Sequence, residues 1–359
     1  MKKRILVTGC YGYIGTVLVP KLLAAGYEVL GVDSDLFYDA NFGPPPVNVP
    51  LLAADIRDVT AESLRGLDAI CHLAALSNDP LGNLDPQLTL EINYTATVRL
   101  AQQAKQVGVP RFLFSSSCSS YGAAGEQLLS EEAECKPITA YGRSKVQADR
   151  DLQALADERF SPTYLRNATA YGSSPRLRLD VVLNDFVAAA FLQRRIFIKS
   201  DGTPWRPLVH VQDICHAFLA VLQAPRPQIH NQAFNVGQSR ENYRVSELAE
   251  MVAAAVPDCT IEYDPLGGPD KRCYRVSCDK IGTRLTNFCA AWTIHRGIAE
   301  LLEAYTRVGL SDQDVASGRY LRLPALQRRQ REGMVDDQLR PTTVSLASST
   351  APAAGRGLA

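Results

Sequence analysis

Tyr141 and Lys145 are the two residues whose types and spacing best fit proton transfer. They stand four residues apart in the run Tyr-Gly-Arg-Ser-Lys, so both side chains project from one face if the run is helical. A tyrosine hydroxyl has an ordinary pKa near ~10, which is too high for a base at neutral pH. An adjacent lysine ammonium stabilises the phenolate and lowers that pKa. The pair therefore predicts a general base that acts on a substrate hydroxyl.

A serine-rich run at residues 115–122 supplies a third polar group for the same chemistry. The run follows an apolar stretch that reads as a buried strand, so Ser117 is expected at the carboxyl end of that strand. A tyrosine and lysine pair alone is weak evidence, because such pairs occur by chance on exposed helices. With this support, Ser117, Tyr141 and Lys145 are the predicted catalytic residues.

A glycine-rich turn at residues 9–15 lies between the predicted strand Arg4–Thr8 and a predicted helix. Glycine lets the backbone turn tightly and approach a dinucleotide diphosphate, which then sits on the amides of the helix N-terminus. A plain glycine-rich turn is the alternative, and an acid at the end of the second strand argues against it. The predicted cofactor-binding residues of this turn are Gly9, Tyr11, Gly12, Tyr13, Ile14 and Gly15.

That acid is Asp33, which lies 24 residues after Gly9. Its carboxylate can accept hydrogen bonds from the adenosine ribose hydroxyls and would repel a 2′-phosphate. Ser34 and Asp35 follow it, so no adjacent arginine is present to neutralise such a phosphate. The sequence therefore predicts NAD as the cofactor in preference to NADP. Asp55 and Ile56, after the third strand, either border the adenine or belong to ordinary surface.

The elements that must position these residues alternate between β-rich and helical stretches in the first half of the chain. Short strands separated by amphipathic helices predict a parallel sheet with helices on both faces, which is the Rossmann-type, doubly wound α/β plan. The predicted strands are Arg4–Thr8 and residues 27–32, 67–73, 111–115 and 162–166.

The alternation becomes irregular after Gly172, which predicts a smaller C-terminal substrate-binding lobe. We assign residues 1–172 to the NAD-binding domain, with segments near 209–237 returning to it. Residues 173–208 and 238–325 are assigned to the substrate-binding lobe. Residues 340–359, rich in small and polar residue types, are predicted to be a disordered tail.

The composition limits the partners of this protein. Lysine plus arginine and aspartate plus glutamate each number 38, so no basic field is available for nucleic acid or anionic lipid. No apolar run approaches the length of a membrane span, and no secretory leader pattern opens the chain, which favours a cytoplasmic protein. The nine cysteines show no zinc-ligand spacing, so no metal site is expected.

Together these motifs resemble the extended short-chain dehydrogenase/reductase family, which includes the NAD-dependent nucleotide-sugar epimerases and dehydratases. The resemblance covers residues 3–305. It rests on the glycine turn, on the set of Ser117, Tyr141 and Lys145, and on three further features. These features are the run of residues 72–75, the single residue Asn93 and the run of residues 206–213.

The resemblance implies roles for these residues. Ser117 and Tyr141 would bond a sugar hydroxyl, Tyr141 would take its proton, and Lys145 would hold the nicotinamide ribose while hydride passes to the nicotinamide. Arg206 and Arg272 would contact the diphosphate of the substrate, the alternative being surface salt bridges. The resemblance further assigns Leu73, Ala74 and Ala75 to the cofactor and Asn93 to the substrate.

Departures from the family pattern bear on the type of reaction. Dehydratases of this family carry an Asp-Glu pair directly after the position of Ser117, where this chain has Cys118 and Ser119, so dehydration is disfavoured. Cys118 is expected to be a packed thiol or, after a loop shift, a group that faces the sugar. Thr169 replaces an asparagine that often touches the substrate, and Asn184 is a candidate compensating contact.

We therefore expect an epimerase that inverts C4 of a nucleotide-activated sugar through a transient 4-keto intermediate. A 4-ketoreductase or sugar dehydrogenase is the nearest alternative, a 4,6-dehydratase is less favoured, and a noncatalytic dinucleotide-sensing protein is the alternative from another class. The resemblance also implies a homodimer formed through two helices per subunit. Residues 319–336 are expected to be a surface helix, or to cap the substrate-binding lobe or serve the dimer.

Overall fold

The fold is that of a computed structural model, which describes residues 2–268, 270 and 272–342. Its strands in chain order are β1 Arg4–Thr8, β2 Glu28–Asp33, β3 Leu51–Ala53, β4 Ala69–His72, β5 Arg111–Ser117, β6 Ala123–Leu129, β7 Ser161–Asn167, β8 Thr169–Tyr171, β9 Arg195–Ile198, β10 Trp205–His210, β11 Gln232–Val236, β12 Asn242–Arg244, β13 Thr260–Tyr263 and β14 Cys273–Val276. Its α-helices are α1 Gly15–Ala24, α2 Asp79–Gly82, α3 Pro86–Leu90, α4 Ala96–Gln106, α5 Ala140–Leu155, α6 Val182–Gln193, α7 Val211–Gln223, α8 Arg226–Ile229, α9 Val245–Ala255, α10 Asp279–Arg284, α11 Ile294–Val308, α12 Asp312–Ala316 and α13 Arg322–Arg331.

A seven-stranded parallel sheet forms the centre of the fold, in the order β11-β7-β5-β4-β1-β2-β3. Leu6 of β1 pairs with Leu30 on one side and with Ile70 on the other. The chain first adds β2 and β3 on one side of β1 and then crosses over to add β4 on the other. A crevice opens at such a reversal, outside the carboxyl ends of the strands. The predicted doubly wound α/β fold is confirmed.

Smaller sheets and a separate apolar cluster build the other part of the chain. The sheets pair β12-β10-β8, β13-β9 and β14-β6. The cluster combines Leu183 and Val187 of α6 with Leu248 of α9 and Leu301 of α11. Between these segments the chain returns to the central sheet through β11. These contacts support our proposal of a second lobe, which also uses β6 and β8 from before the proposed boundary at Gly172.

The C-terminal segment, which we define as residues 310–342, packs differently from the expectation. Leu326, Val335 and Leu339 are buried in the same apolar cluster as Ile70 of β4 and Phe112 of β5. Residues 319–336 of this segment were expected to be a surface helix, or to cap the substrate-binding lobe or serve the dimer. The structure instead buries these three leucine and valine side chains on the nucleotide-binding side, whereas Leu310 and Tyr320 pack into the apolar cluster of the second lobe. Its apolar residues are spaced too irregularly for their burial to be read from periodicity.

Polar contacts fasten the same segment to loops that follow the central strands. Asp39 forms ion pairs with Arg328 and Arg329, and Arg340 pairs with Asp58. Pro341 forms an antiparallel bridge with Val335, so residues 340–342 are part of this structure although the sequence placed them in a tail. Residues 343–359 of the predicted tail lie outside the described residues.

In the part of the chain that the structure describes, no helix combines the length and the apolar character needed to cross a bilayer.

The Leu326→Ala variant tests the docking of the C-terminal segment. Leu326 is fully buried, so its truncation should lower the free energy of unfolding by about 2–5 kcal/mol. Urea denaturation followed by circular dichroism measures this loss. The adjacent Gln327 is exposed, and Gln327→Ala should stay within about 0.5 kcal/mol of the parent. Equal, small effects of both substitutions would show that the segment is not docked.

Candidate active site

A cavity of about 1000 Å³ opens at the carboxyl ends of the parallel strands. Its wall combines residues that follow β1, β2, β4 and β5 with residues of the second lobe. The predicted site residues on this wall are Gly9, Tyr11, Gly12, Tyr13, Ile14, Gly15, Asp33, Asp55, Ile56, Leu73, Ala74, Ala75, Ser117, Ser119, Tyr141, Lys145, Thr169, Arg206 and Arg272. The fold therefore gathers most of the predicted set around one volume.

The glycine turn is packed so closely that side chains do not fit at two of its positions. Gly9 has a φ of +70°, and a Cβ there would lie 2.9 Å from the backbone nitrogen of Ala74. A Cβ on Gly15 would lie 2.1 Å from the carbonyl oxygen of Gly9. Glycine at these positions lets α1 begin directly against the end of β1, with its N-terminal amides facing the cavity. This arrangement suits an anionic diphosphate.

A buried polar chain fixes the floor of the cavity beside this turn. The Thr8 hydroxyl lies 2.7 Å from His72 Nδ1, and His72 Nε2 lies 2.7 Å from the Thr97 hydroxyl. Burial lowers the pKa of His72 to about 3, so the ring is neutral at physiological pH. Thr8 Oγ1 also accepts hydrogen bonds from the amides of Leu73 and Ala74. His72 thus orients the Thr8 hydroxyl, which holds the backbone of the 73–75 run in place.

Asp33 lies at the end of β2 with both carboxylate oxygens fixed. They accept hydrogen bonds of 2.8 Å from the backbone amides of Tyr11 and Asp35. Burial raises the pKa of Asp33 to about 6, although these backbone hydrogen bonds act in the opposite direction. Further lone pairs of the carboxylate remain for ribose hydroxyls. Asp55 also lines the cavity, and Arg57 binds it at 2.8 Å.

Tyr141 and Lys145 lie on the first turns of α5, which Thr139 caps by accepting a hydrogen bond from the amide of Gly142. The Lys145 ammonium is 5.8 Å from the centroid of the Tyr141 ring and donates a hydrogen bond of 2.8 Å to the carbonyl oxygen of Ser115. Ser117 ends β5 and accepts a hydrogen bond of 2.9 Å from the Ser119 hydroxyl. Hydroxyl, phenol and ammonium groups therefore converge on one end of the cavity.

Burial changes the pKa values of the groups at this end of the cavity. Burial raises the pKa of Tyr141 to about 12, a hydrogen bond with Ser117 lowers it, and nearby Asp79 raises it further. Burial lowers the pKa of Lys145 to about 8. Without additional positive charge the phenol therefore stays protonated at neutral pH. A cationic nicotinamide ring beside it is the kind of group that would favour the phenolate.

The two predicted diphosphate-binding arginines share their carboxylate partners. Asp270 lies 2.7 Å from Arg206 and 2.5 Å from Arg272, and Asp79 lies 2.7 Å from Arg272. Arg206 also donates to the carbonyl oxygen of Arg272. The four side chains form one network on the cavity wall, so an entering diphosphate has to compete with the two carboxylates.

Three expected substrate contacts are not on the cavity wall, which corrects the sequence analysis. Asn93 is fully buried and exchanges hydrogen bonds with the backbone of Leu76, at 2.8 and 3.0 Å. Cys118 is fully buried, and its thiol lies 3.1 Å from the carbonyl oxygen of Arg166. Asn184 accepts from the Gly172 amide at 2.9 Å and donates to neighbouring backbone carbonyls. Each side chain is already satisfied by the protein, so these residues support the wall and do not face the ligand.

The sequence analysis missed several charged residues that line the cavity. Arg178 donates to Asp180 at 2.8 Å and to the Ser77 hydroxyl at 3.1 Å, and Asn78 holds the second oxygen of Asp180 at 2.5 Å. Arg322 reaches the same wall from α13. The alternation of Arg176, Arg178 and Asp180 after Gly172 was the available signal for the first of these. Nothing near Arg322 in the sequence marks it.

The burial of the Lys145 ammonium gives a testable dependence of stability on pH. The pKa of Lys145 falls from its usual 10.5 to about 8 on folding, so between these values the unfolded chain binds more protons. The contribution of Lys145 to the free energy of unfolding therefore rises with pH across that window. Lys145→Met should gain stability relative to the parent below about pH 8 and lose that advantage as the pH approaches 10.5. Chemical denaturation between about pH 8 and pH 10.5 measures the difference in the free energy of unfolding between Lys145→Met and the parent. Lys3→Met, at an exposed lysine, is the control. A difference that does not change with pH would contradict a buried ammonium.

Comparison with known proteins agrees with this site. Residues 5–237 match the NAD dependent epimerase/dehydratase family. The UDP-glucose 4-epimerase of Mycolicibacterium smegmatis is 32% identical over 268 residues, which are 70% of this chain and 82% of the relative. UDP-glucuronic acid decarboxylase 1 of Arabidopsis thaliana is 29% identical over 271 residues, which are 73% of this chain and 60% of the relative.

A solved structure of MoeE5 in complex with UDP-glucuronic acid and NAD is similar with a TM-score of 0.74 and 28% identity, covering 86% of this chain and 100% of that chain. The family match spans more than half of the chain and confirms the resemblance drawn from the motifs. This chain therefore belongs to the NAD-dependent epimerase/dehydratase family and is an enzyme whose cofactor is NAD.

Proposed function

We propose that this enzyme epimerises C4 of a nucleotide-activated sugar through a transient 4-keto intermediate. The observation that carries the proposal is the set of groups around Tyr141. Ser117, Ser119 and Lys145 accompany the phenol on the cavity wall, and the adjacent Cys118 is buried away from it. This set can move a hydroxyl proton, whereas the acid and base that dehydration requires are replaced by a thiol and a hydroxyl.

Asp79, a carboxylate on the same cavity wall, does not restore a dehydratase site. After burial, the charge of Asp79 also raises the pKa of Tyr141, and Asp79 Oδ2 is bound to Arg272 at 2.7 Å. The ion pair with Arg272 already occupies this carboxylate. Asp79 is therefore better suited to orient Arg272 than to protonate a leaving hydroxyl.

Each residue of the set has a proposed task. Tyr141 removes the proton of the C4 hydroxyl and later returns it, and Ser117 donates a hydrogen bond that orients the same oxygen. Lys145 would hold the nicotinamide ribose. When bound beside these residues, NAD would supply a hydride acceptor and donor for C4. Inversion at C4 requires that the cavity leave room for the keto sugar to present its opposite face.

Two features support a nucleoside diphosphate sugar as the substrate. Arg206 and Arg272 present planar cationic groups that can bind phosphate in two places. The two relatives compared above carry names that refer to UDP-sugars, as does the ligand of MoeE5. Thr169 lies on the cavity wall where many family members have asparagine, so the sugar-facing surface differs from theirs.

We also propose that the enzyme acts in the cytoplasm as a homodimer. The resemblance to extended short-chain dehydrogenases points to a dimer through two helices, one of which is α5. Here α4 and α5 lie against each other on one side of the sheet, so a partner subunit could use both. Sedimentation equilibrium of the purified protein at micromolar concentration gives the mass directly.

The Tyr141→Phe variant tests the assignment of the base. Removing the phenolic oxygen should lower kcat by about 10²–10⁴-fold, because no other group is placed to take the hydroxyl proton, while NAD content stays unchanged. Tyr94 donates to Asp151 at 2.5 Å away from the cavity, and Tyr94→Phe should keep full activity. Full activity of Tyr141→Phe on the true substrate would overturn the assigned role.

The reaction itself is tested by incubating the purified enzyme with a panel of nucleotide sugars without added cofactor. An epimerase is expected to retain NAD and to interconvert two C4 isomers with no net change in absorbance at about 340 nm. Mass spectrometry of the released ligands and NMR of the sugars provide the measurements. If each sugar converted consumes one molecule of reduced cofactor, the enzyme is a ketoreductase and not an epimerase. If the protein neither converts a sugar nor retains a dinucleotide, the result would favour a sensor.

A further inference from the structure

Two buried arginines, Arg178 and Arg322, lie near each other on the cavity wall. Arg178 is 7% exposed and Arg322 is 4% exposed, and both line the cavity. Asp180 contacts both residues, since it binds Arg178 Nε at 2.8 Å and accepts from the backbone amide of Arg322 at 3.3 Å. The carbonyl oxygen of Arg176 lies 3.2 Å from Arg322 Nη2, and the Arg176 guanidinium itself pairs with Asp35 at 2.9 Å.

Unlike Arg178, Arg322 forms no ion pair among the described residues. No carboxylate of this part of the chain lies at ion-pair distance from its guanidinium, and Nη1 of Arg322 and Nη2 of Arg178 have no hydrogen-bond partner there. Burial, followed by the charge of Arg178, lowers the pKa of Arg322 to about 9, although the charges of Asp180 and Asp39 act in the opposite direction. A buried cation without an ion-pair partner destabilises a fold unless a ligand supplies that partner. The missing partner is an anion that occupies the cavity.

The position of the pair indicates which anion this is. Arg178 is an electrostatic neighbour of the Tyr13 hydroxyl, which donates to the carbonyl oxygen of Gly172, and of Tyr141 at the catalytic end. The Arg322 guanidinium lies over the ring of Phe37, 4.5 Å from its centroid, and Phe37 follows Asp33 by four residues. Arg178 and Arg322 therefore lie between the catalytic end of the cavity and Asp33, the acid proposed to bind the ribose. A dinucleotide that extends from the catalytic end to Asp33 would place its diphosphate between them.

We propose that Arg178 and Arg322 bind the diphosphate of NAD from the side opposite the N-terminus of α1, which makes the C-terminal segment part of the cofactor site. The inference rests on the proposed placement of NAD along the glycine turn and Asp33, and it does not depend on which reaction follows. The amides of the turn solvate one side of the diphosphate, and the two guanidinium groups neutralise the other. Ser77 holds Arg178 in position through its hydrogen bond of 3.1 Å.

The Arg322→Met variant of the full-length protein, stripped of cofactor, tests the proposal without turnover. Methionine keeps the length and the apolar stem while removing the charge. Loss of a charge-assisted hydrogen bond should weaken NAD and ADP-ribose by about 10- to 100-fold in isothermal titration calorimetry, with adenosine unaffected. Arg331 is exposed on the same helix, and Arg331→Met should bind all three ligands as the parent does.

The stability of the stripped protein separates this role from a purely structural one. Because Arg322 is a buried cation with no ion pair among the described residues, Arg322→Met should leave the melting temperature of the stripped protein unchanged or raise it, while NAD raises it by less than in the parent. A structural role for Arg322 predicts the opposite, which is a lower melting temperature with no selective loss of diphosphate ligands. That result would overturn the proposal.

Other outcomes are equally decisive. Unchanged NAD affinity in Arg322→Met, or equal weakening of NAD and adenosine, would show that Arg322 does not bind the diphosphate. Weakened binding of UDP with unchanged NAD would assign the pair to the substrate instead. If Arg322→Met does not fold, Arg178→Met provides the same comparison of ligand affinities. Arg322→Lys keeps the positive charge and is expected to bind NAD with intermediate affinity. Failure of the epimerase proposal would leave these binding results unchanged.

Discussion

The contact between the Lys145 ammonium and the carbonyl oxygen of Ser115, at 2.8 Å in a nearly water-free position, sets the relation between α5 and β5. A buried lysine requires a fixed acceptor, and the acceptor here is the backbone of the strand that ends in Ser117. The same contact therefore sets the position of Tyr141 one turn earlier on the helix. The catalytic geometry thus depends on how the strand and helix dock, and the floor of Thr8, His72 and Thr97 keeps the neighbouring strands in register for that docking.

Charge is distributed unevenly in a chain whose overall charge is balanced. The formal net charge is zero, and the described residues that line the cavity include four arginines, two lysines and seven aspartates. Asp270 and Asp79 hold Arg206 and Arg272, and Asp180 holds Arg178. Shared carboxylates keep these cations in place while leaving part of their charge for phosphate groups. The electrostatic field of these charged groups acts only within the cavity. It therefore suits a small anionic ligand and not a polymer.

The sequence could predict those parts of the site whose residues lie close together along the chain. The turn at residues 9–15, Asp33 and the pair of Tyr141 and Lys145 each follow from local geometry, and the structure gathers them around one cavity. Asn93 and Asn184 lie off the cavity wall, which the sequence could not show because a polar side chain in a motif does not reveal whether the protein already satisfies it. Cys118 is buried, as the expectation of a packed thiol had it. Arg322 could not be predicted, since its neighbours along the cavity wall are far from it in the chain.

The cavity wall runs from Gly9, at the end of the first strand, to Leu339, near the end of the described residues. A ribosome must therefore make the chain as far as Leu339 before this wall is complete, whereas the central strands that it closes are made earlier. Until then the glycine turn and Asp33 lack their C-terminal cover. A chain released before this segment is made would present the nucleotide-binding half of its site without the residues that close the wall.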